Sequence, residues 1–138
     1  MTAKQYLNRV RRIDKEISAL LRLVQKTRES LLTVTQNYDS DGAQSTQNPH
    51  KYDRLIELES LVDTKIDEQI SMKAEILDTI MKLDDRRQRL VLMEYYIEMK
   101  TFEEIAVDIH YSWKQTHRIH ARALRAIDEI LGNENRAY

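Results

Sequence analysis

Apolar positions in the first third of the chain step by three and four without a miss, through Ala3, Tyr6, Val10, Ile13, Ile17, Leu20, Val24, Thr27, Leu31 and Val34. That period predicts one long helix with a heptad seam. Thr2 can cap it with Gln5 closing the capping box, and a helix from Ala3 to Gln36 would be roughly 50 Å long. Leu7, Leu21, Leu23 and Leu32 widen the stripe, which predicts more than one packing neighbour. Residues 37–47, polar and holding Gly42, predict a loop, and Asn48-Pro49 offers an N-cap followed by proline at the first helical position. A second stripe, through Tyr52, Leu55, Leu58, Val62, Ile66, Ile70, Leu77 and Ile80, predicts a helix to about Lys82, with Gln69 and Lys73 falling close to the seam. The loop is long enough for the second helix to fold back antiparallel on the first.

Asp84-Asp85 interrupts the stripe. Asp85 with Gln88 resembles another capping box, and Leu90, Leu92, Met93, Tyr96 and Ile97 continue as a third helix that ends at Lys100-Thr101. Thr101 with Glu104, and Ser112 with Gln115, form two further capping boxes whose starts lie eleven residues apart. That spacing leaves room for two helical turns and a tight connection, so the two helices must cross steeply, as in a helix-turn-helix. Ile105, Ala106, Ile109, Thr116, Ile119 and Ala123 fill the angle, with small Ala106 at the closest approach. The turn falls at His110 and Tyr111, where a residue at positive φ is expected; His is among the non-glycine residues enriched there. Gly132-Asn133 predicts the end of the last helix near Leu131, with a frayed tail beyond.

Two glycines and one proline in 138 residues fit an all-helical chain, and with 33% charged residues the buried surface must come from helix seams. The net charge of −1 says little, but its distribution says more. Residues 1–37 hold eight basic and three acidic side chains, and residues 49–85 hold five basic and ten acidic ones, so the two long helices should attract. The absence of cysteine excludes disulfides and thiolate metal sites and fits a reducing cytoplasm. No apolar run approaches a membrane span, and no signal peptide is evident, so a cytosolic protein without a membrane partner is expected.

The outward face of the second helix of the helix-turn-helix carries the candidate chemistry. Between His110 and Ala126 there is no acidic residue, while Lys114, Arg118, Arg122 and Arg125 are permanent cations, so phosphates would meet no repulsion. Ser112 at the helix start and Arg122 a later turn on suit phosphate contacts. Trp113, Lys114, Gln115, His117 and Arg118 lie on the turns that enter a major groove. Lys114 and Arg118 suit guanine and Gln115 suits adenine, although closing the capping box would occupy the Gln115 amide. Trp113 could instead cover the turn as core. His117 and His120, with His50 and His110, do not form a metal set, because no carboxylate completes ligand spacing and the cationic helix would repel a metal. His120 reads as a half-buried packing residue. Glu103-Glu104 and Asp84-Asp85 read as helix-start residues favoured by the helix dipole. No nucleophile elbow, phosphate loop or zinc motif is present, so neither an enzyme nor a cofactor is expected.

Residues Arg89 to Leu131 resemble the fourth region of bacterial sigma factors, through Glu103-Glu104-Ile105-Ala106, the Ser112 cap and Arg122-Ala123-Leu124. The whole chain, including the opening TAKQYL and the RIHARAL run, is similar to small phage and prophage proteins of Gram-positive bacteria related to the ArpU and RinA type of late transcription regulators. Met99 and His110 depart from the sigma pattern where glycine is common, and Glu94 where arginine is frequent. The resemblance implies a sequence-specific regulator that binds double-stranded DNA, with host RNA polymerase as a further partner. The expected architecture is all-α, with a helical hairpin or coiled coil over residues 1–83, including a loop over 37–48, and a helix-turn-helix domain over 84–138. The heptad positions Tyr6, Val10, Ile13, Ile17, Leu20, Val24 and Leu31 are the expected seam of a homodimer. Two other readings remain open: a small terminase-like packaging protein, and a coiled-coil protein whose helix-turn-helix binds polymerase instead of DNA.

Overall fold

The computed structural model describes residues 1–41 and 50–136. These residues form five α-helices: α1 (Ala3–Asp41), α2 (Asp53–Ile80), α3 (Arg86–Leu92), α4 (Phe102–Ile109) and α5 (Trp113–Arg136). A π-helical segment, Met93–Ile97, continues α3. There is no strand among the described residues. The chain divides into two compact units, one of residues 1–12 and 69–138, the other of residues 13–68. The first unit joins the start of α1 and the end of α2 to the C-terminal helices.

In the unit of residues 13–68, Val24, Leu58 and Val62 form a buried seam flanked by Leu20, Leu55 and Ile66. Ion pairs link Glu16 to Lys65 and Arg28 to Glu59, so the higher residue on α1 meets the lower one on α2, which is the antiparallel sense expected from the length of the loop. Ile13 and Ile17 are also buried.

In the other unit, Ala3, Tyr6, Leu7 and Val10 from the start of α1 share a core with Ile76, Ile80, Leu83, Leu92, Tyr96, Ala123 and Ile127. Tyr6 Oη and Thr79 Oγ1 are hydrogen-bonded at 3.0 Å. The first turn of α1 is fixed twice. Thr2 and Gln5 bond reciprocally, and the Ala3 N–H donates to Asp128 Oδ1 on α5 at 2.6 Å.

Several sequence expectations shift. Of the heptad positions expected to pair two copies, Tyr6, Val10, Ile13, Ile17 and Val24 are buried in the single chain, and Leu20 and Leu31 are half-buried. Of the residues that widen the stripe, Leu7 is buried, but Leu21, Leu23 and Leu32 stay exposed. On α2 the seam runs through Ile66, Gln69, Lys73, Ile76 and Ile80, so Ile70 is exposed and Ile76 fully buried. Steps of three and four are kept, with polar residues at two seam positions that hydrophobicity alone passes over.

Helix α1 continues past Gln36 to Asp41, because no helix breaker precedes Gly42. The remainder of the expected loop, with the Asn48-Pro49 cap, lies outside the described residues. Helix α2 begins at Asp53, whose N–H donates to the His50 carbonyl, and closes in tight turns in which Lys82 and Leu83 donate to the carbonyls of Thr79 and Ile80. Helix α5 runs through Gly132 and Asn133 to Arg136 instead of stopping near Leu131. A glycine costs about 1 kcal/mol in a helix interior. Here it is flanked by Ile130 and Leu131 against the core and by an ion pair of Glu134 with Lys82, which hold the helix on both sides. Residues 137–138 of the expected frayed tail are outside the described residues.

Candidate nucleic-acid interface

Helix α3 starts at Asp85, whose carboxylate accepts from the N–H groups of Arg87 and Gln88. Beneath it, Arg89 Nη1 donates to the carbonyls of Leu83 at 2.6 Å and Asp84 at 3.0 Å, tying the helix to the end of α2. The π-helical turn ends with the Glu98 N–H on the Met93 carbonyl and Met99 at φ 60°. Thr101 then caps α4, with both halves of the capping box formed to Glu104.

The connection from α4 to α5 consists of His110, Tyr111 and Ser112. His110 takes the left-handed conformation expected of it, φ 60° and ψ 37°. Its N–H donates to the Val107 carbonyl and that of Tyr111 to the Ala106 carbonyl, the two bonds of a Schellman cap. Ser112 and Gln115 close the next capping box at 3.0 and 3.1 Å. Ile105, Ala106, Thr116, Ala123 and Ile127 are buried, with Ile109 and Ile119 half-buried, as the apolar spacing requires. The Thr116 hydroxyl meets no unsatisfied partner, since it donates to the Ser112 carbonyl at 2.8 Å.

A charge cluster around the buried Glu94 fastens the π-helical turn to α4. Lys100 Nζ lies 3.0 Å from Glu94, 3.2 Å from Glu98 and 2.8 Å from Asp108. Burial pushes the Glu94 carboxyl up, Lys100 counteracts this, and the neighbouring Asp108 carboxylate raises it further. Lys100 in turn holds Asp108 below the usual carboxylate range. The Glu94 carboxylate is thus paired through one oxygen with Lys100, while its Oε2 is buried without a hydrogen-bond partner.

On the outward face, Ser112, Trp113, Lys114, Gln115, Arg118 and Arg122 are exposed, and His117 is half-buried. Gln115 Oε1 accepts from the Ser112 N–H, which leaves the amide nitrogen as the end able to donate. A bidentate adenine contact needs both ends, so Gln115 can offer one hydrogen bond while the cap is closed. Trp113 is 54% exposed and does not cover the turn as core. His117 lies between Trp113, 3.9 Å between ring centroids, and Phe102, at 4.0 Å. Its Nε2 is buried with no hydrogen-bond partner, so as placed the ring braces its neighbours. His120 receives a partner that spacing could not reveal, the Tyr96 hydroxyl at 2.9 Å from Nε2. Burial holds its pKa down to about 4, helped by His117, so the ring is neutral near pH 7.

Sequence reading missed the parts of the site that come from distant positions. Arg87, at the start of α3, donates from Nη1 to the Tyr111 hydroxyl at 2.9 Å and brings a fifth cation beside the turn. Phe102 stacks on Tyr95 at 4.4 Å, and the Arg11 guanidinium sits 4.1 Å over the other ring, that of Tyr95. Neither arrangement has a local spacing signal.

Comparison with known proteins agrees with this geometry. Residues 80–129 match the family described as Sigma-70, region 4. The transcriptional activator RinA of Staphylococcus phage phi11 is 31% identical over 58 residues, which are 42% of this chain and 41% of that protein. The chain thus spans less than half the length of the curated relative it matches. No solved structure matches the chain significantly. Residues 80–129 therefore form a helix-turn-helix of the sigma-70 region 4 type, in a chain that is similar over 58 residues to the phage activator RinA.

Proposed function

We propose that the protein is a sequence-specific DNA-binding transcription regulator of a phage or prophage, acting as a late-gene activator in the bacterial cytoplasm by binding and not by catalysis. The observation that carries this reading is the exposed face of α5 over residues 113–127, which holds no acid, with Lys114, Arg118 and Arg122 displayed from a helix that α4 and its turn hold in place. A phosphate backbone meets cations there without repulsion, and the N-terminal turns of the helix can enter a major groove. The name of the phage relative supports activation, and the sigma-type domain supports polymerase as a partner at the promoter.

The test is a mobility shift with the intergenic fragments of the genome that encodes the protein, followed by transcription from the bound fragment with host polymerase. Retention of one fragment against excess competitor, with more transcript in the presence of the protein, is expected. Equal retention of all fragments would remove sequence-specific regulation, and specific retention with less transcript would make it a repressor.

A further inference from the structure

We propose that Trp113 is a base-reading residue that packs its indole on the C5-methyl group of a thymine in the major groove, and that His117 and Phe102 are the positioning residues that hold it there. This rests on the DNA-binding reading above and names the base feature that the site recognises.

Trp113 is the chain's single tryptophan, and it is placed on the first turn of α5 with 54% of its surface exposed. A large apolar ring left in water beside Lys114 and Arg118 is not explained by the packing of the fold. It is nevertheless held. Its ring centroid is 3.9 Å from that of His117, which is 4.0 Å from Phe102, which stacks on Tyr95 at 4.4 Å and 22°. Arg11 closes the column with its guanidinium 4.1 Å over Tyr95 and Nη1 on the Tyr95 carbonyl at 2.7 Å. Four rings and a cation thus run from the core of the unit to the outward face. A braced ring has few rotamers left to lose on binding, which makes it a low-cost contact.

The chemistry of the neighbours selects the occupant. Exposed Lys114, Arg118 and Arg122, with no acid from Tyr111 to Arg125, complement a phosphate backbone. Residues at the start of a recognition helix are those that reach base edges. Among the groups that base pairs present in the major groove, the thymine methyl is the apolar one, and it is what an indole edge can contact without leaving a polar group unpaired.

The experiment uses the full-length protein. Sites are selected from random duplexes, and each thymine of the selected site is replaced singly by deoxyuridine, which removes the methyl and keeps the base pairing. For the wild type, at least one replacement should weaken binding by about fourfold, the change expected from losing one buried methyl. Trp113→Ala should bind thymine and uracil duplexes alike, and Trp113→Phe should keep part of the difference. Circular dichroism should show all three folded, since the side chain is exposed.

Loss of affinity in Trp113→Ala with the thymine preference intact would assign the methyl to another residue and overturn the proposal. So would a selected site in which no thymine replacement matters. If the wild type selects no sequence at all, the DNA-binding reading falls and this inference falls with it.

Discussion

Met99 and His110 end successive helices in the same left-handed conformation, each at φ 60°, eleven residues apart. An L-residue with a Cβ pays roughly 1–2 kcal/mol for that backbone, which glycine avoids. The two side chains differ in what they give back. Met99 packs against the core cluster of its unit, whereas His110 is exposed. His110→Gly should therefore stabilise the fold by about 1 kcal/mol, and Met99→Gly should gain less or lose stability, because the conformational relief is offset by lost packing. Chemical denaturation of the two variants measures the difference. Equal gains would mean that the Met99 contacts contribute nothing.

A second expectation concerns acid. His120 has a folded pKa of about 4, below the usual 6.5, because burial disfavours its charged form. The unfolded chain therefore binds more protons between these values, and stability rises with pH across that window. Lowering the pH from 7 to 5 should remove about 1–2 kcal/mol through this residue, after allowance for its partial exposure. His120→Phe should flatten that part of the profile while keeping the ring among Tyr95, Tyr96 and Phe102. Melting curves from pH 4.5 to 7.5 provide the comparison, and an unchanged acid slope in the variant would place the dependence elsewhere.

The seam register gives a third. Ile76 is fully buried on α2, while Ile70 is 61% exposed although it continues the apolar stripe of the sequence. Ile76→Ala should cost about 2–4 kcal/mol and Ile70→Ala less than about 0.5 kcal/mol, both by denaturant titration. Ile17→Asp should likewise destabilise the fold by burying a charge, instead of only separating two folded copies, since Ile17 is buried within the single chain. Sedimentation of Ile17→Asp as a folded monomer from a dimeric parent would reverse that assignment.

These residues also show what was legible in the sequence and why. The caps at Thr2, Asp85, Thr101 and Ser112, and the positive φ at His110, depend on neighbours within a few positions, so spacing and side-chain chemistry reveal them. The seam of α1 was equally local, but its partner was not. A heptad stripe has the same pattern whether it faces a second chain or the next helix, so spacing alone does not name the partner. The register of α2 was missed at Ile70 and Ile76, because the polar Gln69 and Lys73 near the seam weaken the hydrophobic signal without changing the helical geometry. The outward face of the first turns of α5 was readable from the lack of acids before Asp128. The ring column beneath it was not, because Arg11, Tyr95, Phe102 and His117 come from four separate stretches of the chain.

The division of labour on α5 supplies the last expectation. Arg118 lies six residues inside the Ser112 cap and Arg122 one turn beyond it, both exposed and neither held by an ion pair among the described residues. A guanidinium on the turns that enter the groove can bond guanine O6 and N7 bidentately, and one further along the helix meets the backbone. Arg118→Ala should therefore weaken specific binding by about 1–3 kcal/mol and relax the preference at one base pair, with a smaller effect on scrambled duplex. Arg122→Ala should weaken all sequences alike and reduce the slope of log K against log salt by about one, as expected from one fewer displaced counterion. Both substitutions remove exposed side chains, so the fold should be unchanged. Affinity for specific and scrambled duplexes across a salt series separates the two effects. An equal loss on both duplexes for Arg118→Ala would move that residue to the backbone, and no loss for either variant would show that the cationic face of α5 is not the surface that meets DNA.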